Sequence, residues 1–313
     1  MIDPELTAVL DFLPAIDLTD PVAARAAFDA LLETFRGDIP GIETLDIEDR
    51  FVPGWEGDPD VGVRVYRPKD RPVPVPGVLM IHGGGFIIGN VESEHASAAM
   101  TAMQTGAVVV SVEYRLAPEH PFPAGVHDCY RALRFLADEA GELGVDPARL
   151  ALMGTSAGGG LAAATALLAR DLGGPALCFQ MLHIPELDDR LETASMRAFV
   201  DSPLWNRPLA VLSWKAYLGA AADDDGDVSP YAAPSRATDL AGLPPAYIST
   251  AENDPLRDEG ILYGLGLLQA GVSVELHQFP GTFHGSALVA TAEVSKRAQR
   301  ESVTVLRRAL GLD

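Results

Sequence analysis

Basic residues are scarce in this chain: 23 Lys and Arg stand against 44 Asp and Glu over 313 residues, a formal charge of −21 with His neutral. Nucleic acids and anionic membrane surfaces are held by Lys and Arg, so neither is expected as a partner. Cysteine is scarcer still. Cys129 and Cys178 form neither a C-x-x-C pair nor a Cys/His metal spacing, and both sit in apolar surroundings. They therefore read as buried free thiols, and no metal is expected. No apolar run reaches the roughly 18–20 residues that span a bilayer. The first residues, Met1-Ile2-Asp3-Pro4-Glu5, lack the basic segment of a secretory signal, which makes a cytoplasmic location the expectation. What is present is apolar mass: 48% of the residues, enough for one substantial core, and α/β chains of this length often form a single domain.

No internal repeat is visible. Residues 20–36, with Pro21 at a helix start and apolar Val22, Ala26, Leu31, Leu32 and Phe35 behind it, read as an amphipathic helix. Strands follow around 45–51 and 61–66, the latter alternating Val61, Val63 and Val65 before Pro68. Residues 76–81, 107–112 and 150–153 are almost wholly apolar runs, as central strands covered on both faces require. Residues 177–182, 246–249 and 272–279 complete the set. Helical patterns lie between them, at 94–104, 125–139, 157–170, 256–270 and 289–310. Strands alternating with helices predict βαβ units and an α/β fold built on a mostly parallel sheet. Side chains that do chemistry then belong on loops at the carboxyl ends of the strands. Residues from about 185 to 227 break the rhythm and hold Trp205 and Trp214, which suggests an inserted lid. The acidic run at 223–227 resembles a calcium loop but lacks the downstream glutamate, and reads as a solvated turn.

Gly154-Thr155-Ser156-Ala157-Gly158 fits G-x-S-x-G between a predicted strand and an Ala-rich helix. That is the sharp turn presenting a nucleophilic serine at the top of an α/β-hydrolase sheet. Side chains at 154 and 158 would clash in so tight a turn. The helix start behind Ser156 offers unpaired N–H groups and a positive dipole end, so the Ala157 N–H is an expected oxyanion donor. His82-Gly83-Gly84-Gly85-Phe86, directly after another predicted strand, fits the glycine-rich loop whose amides complete an oxyanion hole. Gly83 and Gly84 are the expected donors there.

Seven histidines compete for the general base. His82 reads as a brace for its own loop, while His95, His120 and His127 lie between that loop and the serine. His183 ends a strand but precedes every plausible acid, and His277 falls inside an alternating strand. His284, in the turn-rich Pro280-Gly281-Thr282-Phe283-His284-Gly285, is placed to reach over the sheet edge to Ser156. For this fold the acid comes between serine and histidine in the chain. Asp254 follows a predicted strand, although with Pro255 behind it an N-cap role alone is the bland alternative. Asp258 and Glu259 are the fallback acids, within the helix and expected to face away.

These segments resemble the hormone-sensitive lipase-like esterases, the bacterial family IV carboxylesterases of the α/β-hydrolase superfamily. The likeness runs from about Val75 to His284. It includes His82 to Phe86, the stretch from Tyr114-Arg115-Leu116-Ala117-Pro118-Glu119-His120 to Ala124, Gly154 to Gly159, Ser229-Pro230-Tyr231-Ala232, Asp254 to Glu259, and His284-Gly285. The resemblance implies Ser156, Asp254 and His284 as nucleophile, acid and base, with Gly83, Gly84 and Ala157 as oxyanion donors. It also implies a helical cap formed by residues 1 to about 40 and about 185 to 225 over a single domain, 1–313, and it makes a homodimer plausible. Two positions depart from the family pattern: Thr155, where many members carry aspartate, and Ser286, where an aromatic or apolar residue often follows the His-Gly pair.

The expected activity is hydrolysis of short- to medium-chain carboxylic esters, small molecules, through an acyl-serine intermediate and without a cofactor. Phe86, Trp205 and Trp214 are candidate pocket residues, although aromatics of this size are usually core. Two other readings use the same residues. An amidase, lactonase or carbamate hydrolase would share the triad. A binding-only protein, as in the plant gibberellin receptors that resemble these esterases, would have lost the catalytic histidine.

Overall fold

The computed structural model describes residues 1–13, 16–35, 37–220 and 228–312. The acidic run at 223–227, part of the expected lid, lies outside the described residues. Among the described residues eight strands form one sheet: β1 (Leu45–Val52), β2 (Val61–Pro68), β3 (Val75–Ile81), β4 (Val108–Glu113), β5 (Val145–Thr155), β6 (Phe179–His183), β7 (Ala246–Asn253) and β8 (Val274–Phe283). Their order is β1-β2-β4-β3-β5-β6-β7-β8. Only the β1–β2 and β2–β4 pairings are antiparallel; from β4 through β8 the strands run parallel. The α/β expectation therefore holds, with an antiparallel margin at one edge.

Helices α1 (Pro4–Thr7), α2 (Pro21–Phe35), α3 (His95–Thr105), α4 (Ala124–Asp138), α5 (Ala140–Leu143), α6 (Ala157–Asp171), α7 (Ala194–Ala198), α8 (Arg207–Leu218), α9 (Arg257–Gln269) and α10 (Glu293–Ala309) complete the chain. β3 reads as an unbroken apolar run because both its faces are covered. In β3, Leu79 and Ile81 pack into the larger core with α4 and α6, while Val78 and Met80 face the second core, built with α3 and α10. Helix α6 is buried along nearly its whole length, and its run of alanine and glycine lets the backbone lie close to the sheet.

Several expected elements shift. The strand foreseen at 150–153 extends from Val145 to Thr155, and the one at 272–279 continues to Phe283, delivering His284 at its end. Cys178 is only half-buried, whereas Cys129 is buried as expected; both are free. In α2, Val22 and Ala26 of the expected apolar stripe are exposed, and Ala24 and Phe28 make the contact with a small apolar cluster around Trp205 and Ile87. The reason lies beside them. Arg25 reaches inward and donates to the carbonyls of Ile87 and Ala117 and to the Glu119 carboxylate, at 2.7–2.8 Å, which fixes the rotation of the helix.

Candidate active site

Ser156 stands between β5 and α6 with φ 58° and ψ −124°, a strained backbone for a residue with a side chain. The turn is held by its own backbone bonds. The Ser156 N–H donates to the His183 carbonyl at 2.8 Å, and the Ser156 carbonyl accepts from Gly160 and Glu186 at 3.0 Å. The flanking glycines have a steric reason. A methyl group on Gly154 would collide with the Gly158 carbonyl, and one on Gly158 with the carbonyls of Ile81 and His82. Glycine at both positions lets the end of β3, the turn and α6 close on one another.

Three side chains distant in sequence meet here. His284 Nε2 lies 2.9 Å from Ser156 Oγ, and His284 Nδ1 lies 2.8 Å from Asp254 Oδ2. A carboxylate accepts, so Nδ1 carries the proton and Nε2 is left to accept from the serine hydroxyl. All three residues are buried. Asp254 is not the N-cap of α9, which is Leu256; its second oxygen, Oδ1, accepts the Leu256 N–H at 2.9 Å in the turn before the helix.

The fallback acids are engaged elsewhere. Asp258 accepts from the Ser195 N–H, and Glu259, expected to face away, instead points inward and accepts from the amides of Leu187 and Asp188. Burial raises the Glu259 carboxyl well above the usual range. Five of the other histidines are committed too, and His120 is exposed at the surface. His82 donates from Nδ1 to the Gly83 carbonyl at 2.8 Å and stacks on Tyr114. His183 Nδ1 lies 2.8 Å from Ser249 Oγ. Burial lowers both imidazoles to about 4. His95 bonds Tyr66, His127 stacks on Trp55, and His277 stacks on Phe279 and faces Glu301.

The glycine loop follows β3, with Gly84 and Gly85 at φ 119° and 57°. The long motif after β4 braces it. Tyr114 donates to the His82 carbonyl at 3.0 Å, Ala117 N–H donates to the Phe86 carbonyl, and Arg115 forms a two-toothed pair with buried Asp128. Of the expected donors, Gly84 has no acceptor for its N–H among the described residues. Ala157, first in its helix, has no intrahelical acceptor. The Gly83 amide is different: it faces the carboxyl of Glu94, immediately before α3. Gly85, whose N–H is also without an acceptor among the described residues, stands next in line.

Two acidic residues beside the site carried no signal in the sequence. Glu186, fully buried in the segment after β6, is pushed up to about 8 by burial, with the nearby Asp254 charge adding to the effect. Ser213 Oγ of α8 lies 3.0 Å from both Glu186 Oε1 and the Gly85 carbonyl. One hydroxyl has one proton, so a neutral Glu186 supplies the second, and the relay runs from Glu186 through Ser213 to Gly85. Glu94 borders a cavity of about 530 Å³ between α3, α10 and the sheet; Thr155, Gly285 and Ser286 line it, but Ser156, His284 and the glycine loop do not. Of the candidate pocket aromatics, Phe86 stacks on Tyr217 and tilts against Trp214 as core, while the Trp205 ring lies 5.7 Å from that of His284. Among the described residues, no cluster of His, Cys, Asp and Glu could hold a metal ion, and no helix is long and apolar enough to cross a membrane.

A strained serine at a strand-to-helix turn, a histidine after the last strand and an aspartate after the strand before it, on this sheet order, define a hydrolase of the α/β class. The family described as alpha/beta hydrolase fold matches residues 78–288, and the chain belongs to it, in the hormone-sensitive lipase-like branch. Among its relatives, the carboxylesterase NlhH of Mycobacterium tuberculosis is 42% identical over 315 residues, covering 99% of this chain and 96% of that protein. The esterase LipI of the same organism is 38% identical, covering 90% of this chain and 91% of its own length. Among solved structures, a bacterial heroin esterase superposes with a TM-score of 0.96 at 57% identity, covering 99% of this chain and 98% of that one.

Proposed function

We propose that this protein is a serine carboxylesterase acting on small-molecule esters, with Ser156 as nucleophile, His284 as general base and acid, and Asp254 orienting the imidazole. The observation that carries the reading is the unbroken line from Ser156 Oγ through His284 to Asp254 at 2.9 and 2.8 Å. Its relatives' names, carboxylesterase and esterase, support the ester as substrate. In the first step Ser156 Oγ attacks the ester carbonyl as its proton passes to His284 Nε2. The imidazolium is stabilised by the Asp254 carboxylate, which does not itself take the proton. The carbonyl oxygen becomes an oxyanion received by the amides of Ala157 and Gly84. Because the Gly83 amide faces the Glu94 carboxyl, this reading moves the third donor from Gly83 to Gly85. The imidazolium returns its proton to the leaving alcohol; water, deprotonated by His284, then attacks the acyl-serine and releases the acid.

The retained histidine speaks against a binding-only protein. Short- to medium-chain acyl groups are proposed from the resemblance to capped esterases, whose roofed, concave site suits a small ester better than emulsified fat. The cap is assigned to residues 1 to about 40 and about 185 to 225, supported by Arg25 of α2 and Ser213 of α8, which both tie to the glycine-loop region. A homodimer is supported by the exposed Leu262, Leu265 and Leu268 of α9 and Leu276 of β8 at the sheet edge, and light scattering at several concentrations tests it. A cytoplasmic setting accords with two free thiols. The decisive experiment is hydrolysis of nitrophenyl acetate through decanoate by wild type and Ser156→Ala. Turnover should peak at short chains and fall by at least about 10⁴-fold in the variant. Full activity in a folded Ser156→Ala protein would overturn the assignment, and a maximum at decanoate would overturn the chain-length reading.

A further inference from the structure

Three parts of the site converge on Glu186, although its carboxyl takes no place in the line from Ser156 to Asp254. Its backbone N–H donates to the Ser156 carbonyl at 3.0 Å. Its own carbonyl lies so close to α6 that a methyl group on Gly160 would collide with it. The residue is thereby fixed against the nucleophile turn. Its carboxyl reaches the oxyanion loop instead: Oε1 lies 3.0 Å from Ser213 Oγ, and Ser213 Oγ lies 3.0 Å from the Gly85 carbonyl. Gly85 is the third oxyanion donor in the mechanism above, and whatever holds its carbonyl limits where its amide points.

The count of protons decides how this link is made. Ser213 has one, and the Gly85 carbonyl can only accept. A neutral Glu186 donates to Ser213 and leaves the serine proton for Gly85. An ionised Glu186 can only accept, and a charge-assisted bond is the stronger one. Ser213 then turns its proton to the carboxylate, and the Gly85 carbonyl is released. The surroundings favour the neutral form. Glu186 is fully buried, and its Oε2 has no hydrogen-bond partner. The titratable groups that act with it are all acids: Asp254 after β7, Glu259 of α9 and Tyr217 of α8. Neither Lys nor Arg acts on it among the described residues. Of the two neighbouring carboxyls, Asp254 is the one supplied with donors for a charge, the His284 Nδ1–H and the Leu256 N–H. Asp254 therefore takes the charge and Glu186 the proton.

We propose that Glu186 is a positioning residue for the oxyanion loop, holding Gly85 through Ser213 only while it keeps its own proton. The inference rests on the esterase reading and adds a second protonation state that the reaction requires: His284 must be free to accept at Nε2, and Glu186 must still be protonated. Ionisation of Glu186 releases the loop and brings a second negative charge into the site. Both consequences oppose the oxyanion, so both slow the same step.

The test is the pH profile of kcat/KM for nitrophenyl butyrate from pH 6 to 9.5, in wild type and Glu186→Gln, with tryptophan fluorescence following the fold at each pH. In wild type the value should rise as His284 loses its proton, then fall by about tenfold per pH unit beyond about 8. Glutamine keeps the shape and a donor for Ser213 but has no proton to lose. The alkaline fall should vanish from its profile, whatever its absolute rate. A merely structural role would change the height of the profile and leave its shape alone. A wild-type profile that stays level to pH 9.5 would overturn the proposal, with no need for the variant to fold. A fall kept at the same pH in Glu186→Gln would overturn it as well. Absence of turnover of nitrophenyl esters at every pH would instead refute the esterase reading, which a level but active profile leaves intact.

Discussion

Replacing Glu186 with glutamine isolates one buried carboxyl and gives a stability change that depends on pH in a calculable way. Glu186 is fully buried and pushed from 4.5 to about 8. Between those values the unfolded chain has released the proton while the folded protein retains it. Folding therefore takes up a proton in that window and becomes less favourable as pH rises. The stability lent by the neutral carboxyl is fully present below 4.5 and lost as pH climbs through about 8. Each pH unit within the window costs about 1.4 kcal/mol, so the limit across it is on the order of 4–5 kcal/mol. Glutamine keeps the shape and can donate to Ser213, but it has no proton to lose. At pH 5 its extra buried N–H should leave the variant less stable by about 1 kcal/mol. From pH 5 to 8 the difference should reverse, with glutamine gaining about 1.4 kcal/mol per unit relative to wild type. Urea unfolding of both proteins at four pH values, followed by tryptophan fluorescence, measures it. Subtraction removes the shared contributions of Glu94, Glu259 and the surface charge. A difference that stays flat across the range would refute the argument, since it would mean that Glu186 does not hold its proton in the folded state.

Two further substitutions probe the site. Asp254→Asn leaves the imidazole in place but gives Nδ1 an amide partner that no longer fixes the tautomer, so kcat should drop by about 10⁴-fold. Activity within tenfold of wild type would remove Asp254 from the triad. Ser213→Ala removes the link between Glu186 and the Gly85 carbonyl. It should cost about 1–3 kcal/mol of stability, and because the donor loop loosens, kcat should fall about ten- to hundredfold. Unchanged kinetics would show that the loop holds its shape without α8.

The chain's own periodicity determined the α/β architecture, because a strand covered on both faces must be largely apolar, as Val78 to Ile81 and Val108 to Val110 are. Local geometry likewise wrote Ser156 and the glycine loop into the sequence: a turn that cannot accept Cβ atoms at 154 and 158 leaves its mark wherever it occurs. His284 and Asp254 were legible by chain order and by their position after strands. The long block from Tyr114 to Ala124 stood out as a motif, but only its contacts with His82, Phe86 and Asp128 reveal it as the brace of the oxyanion loop. Other features existed only in three dimensions. The rotation of α2 was set by Arg25 reaching carbonyls more than sixty residues away, against the stripe its apolar residues suggested. Glu259 faced inward because the amides of Leu187 and Asp188 needed an acceptor. Glu94 and Glu186 look like any surface acids in a chain this negative, and their character comes from the neighbours that bury them. Backbone geometry and burial periodicity act within a few residues and so can be read along the chain. The charge state of a carboxyl is set by whatever folding packs around it, and no local pattern records that.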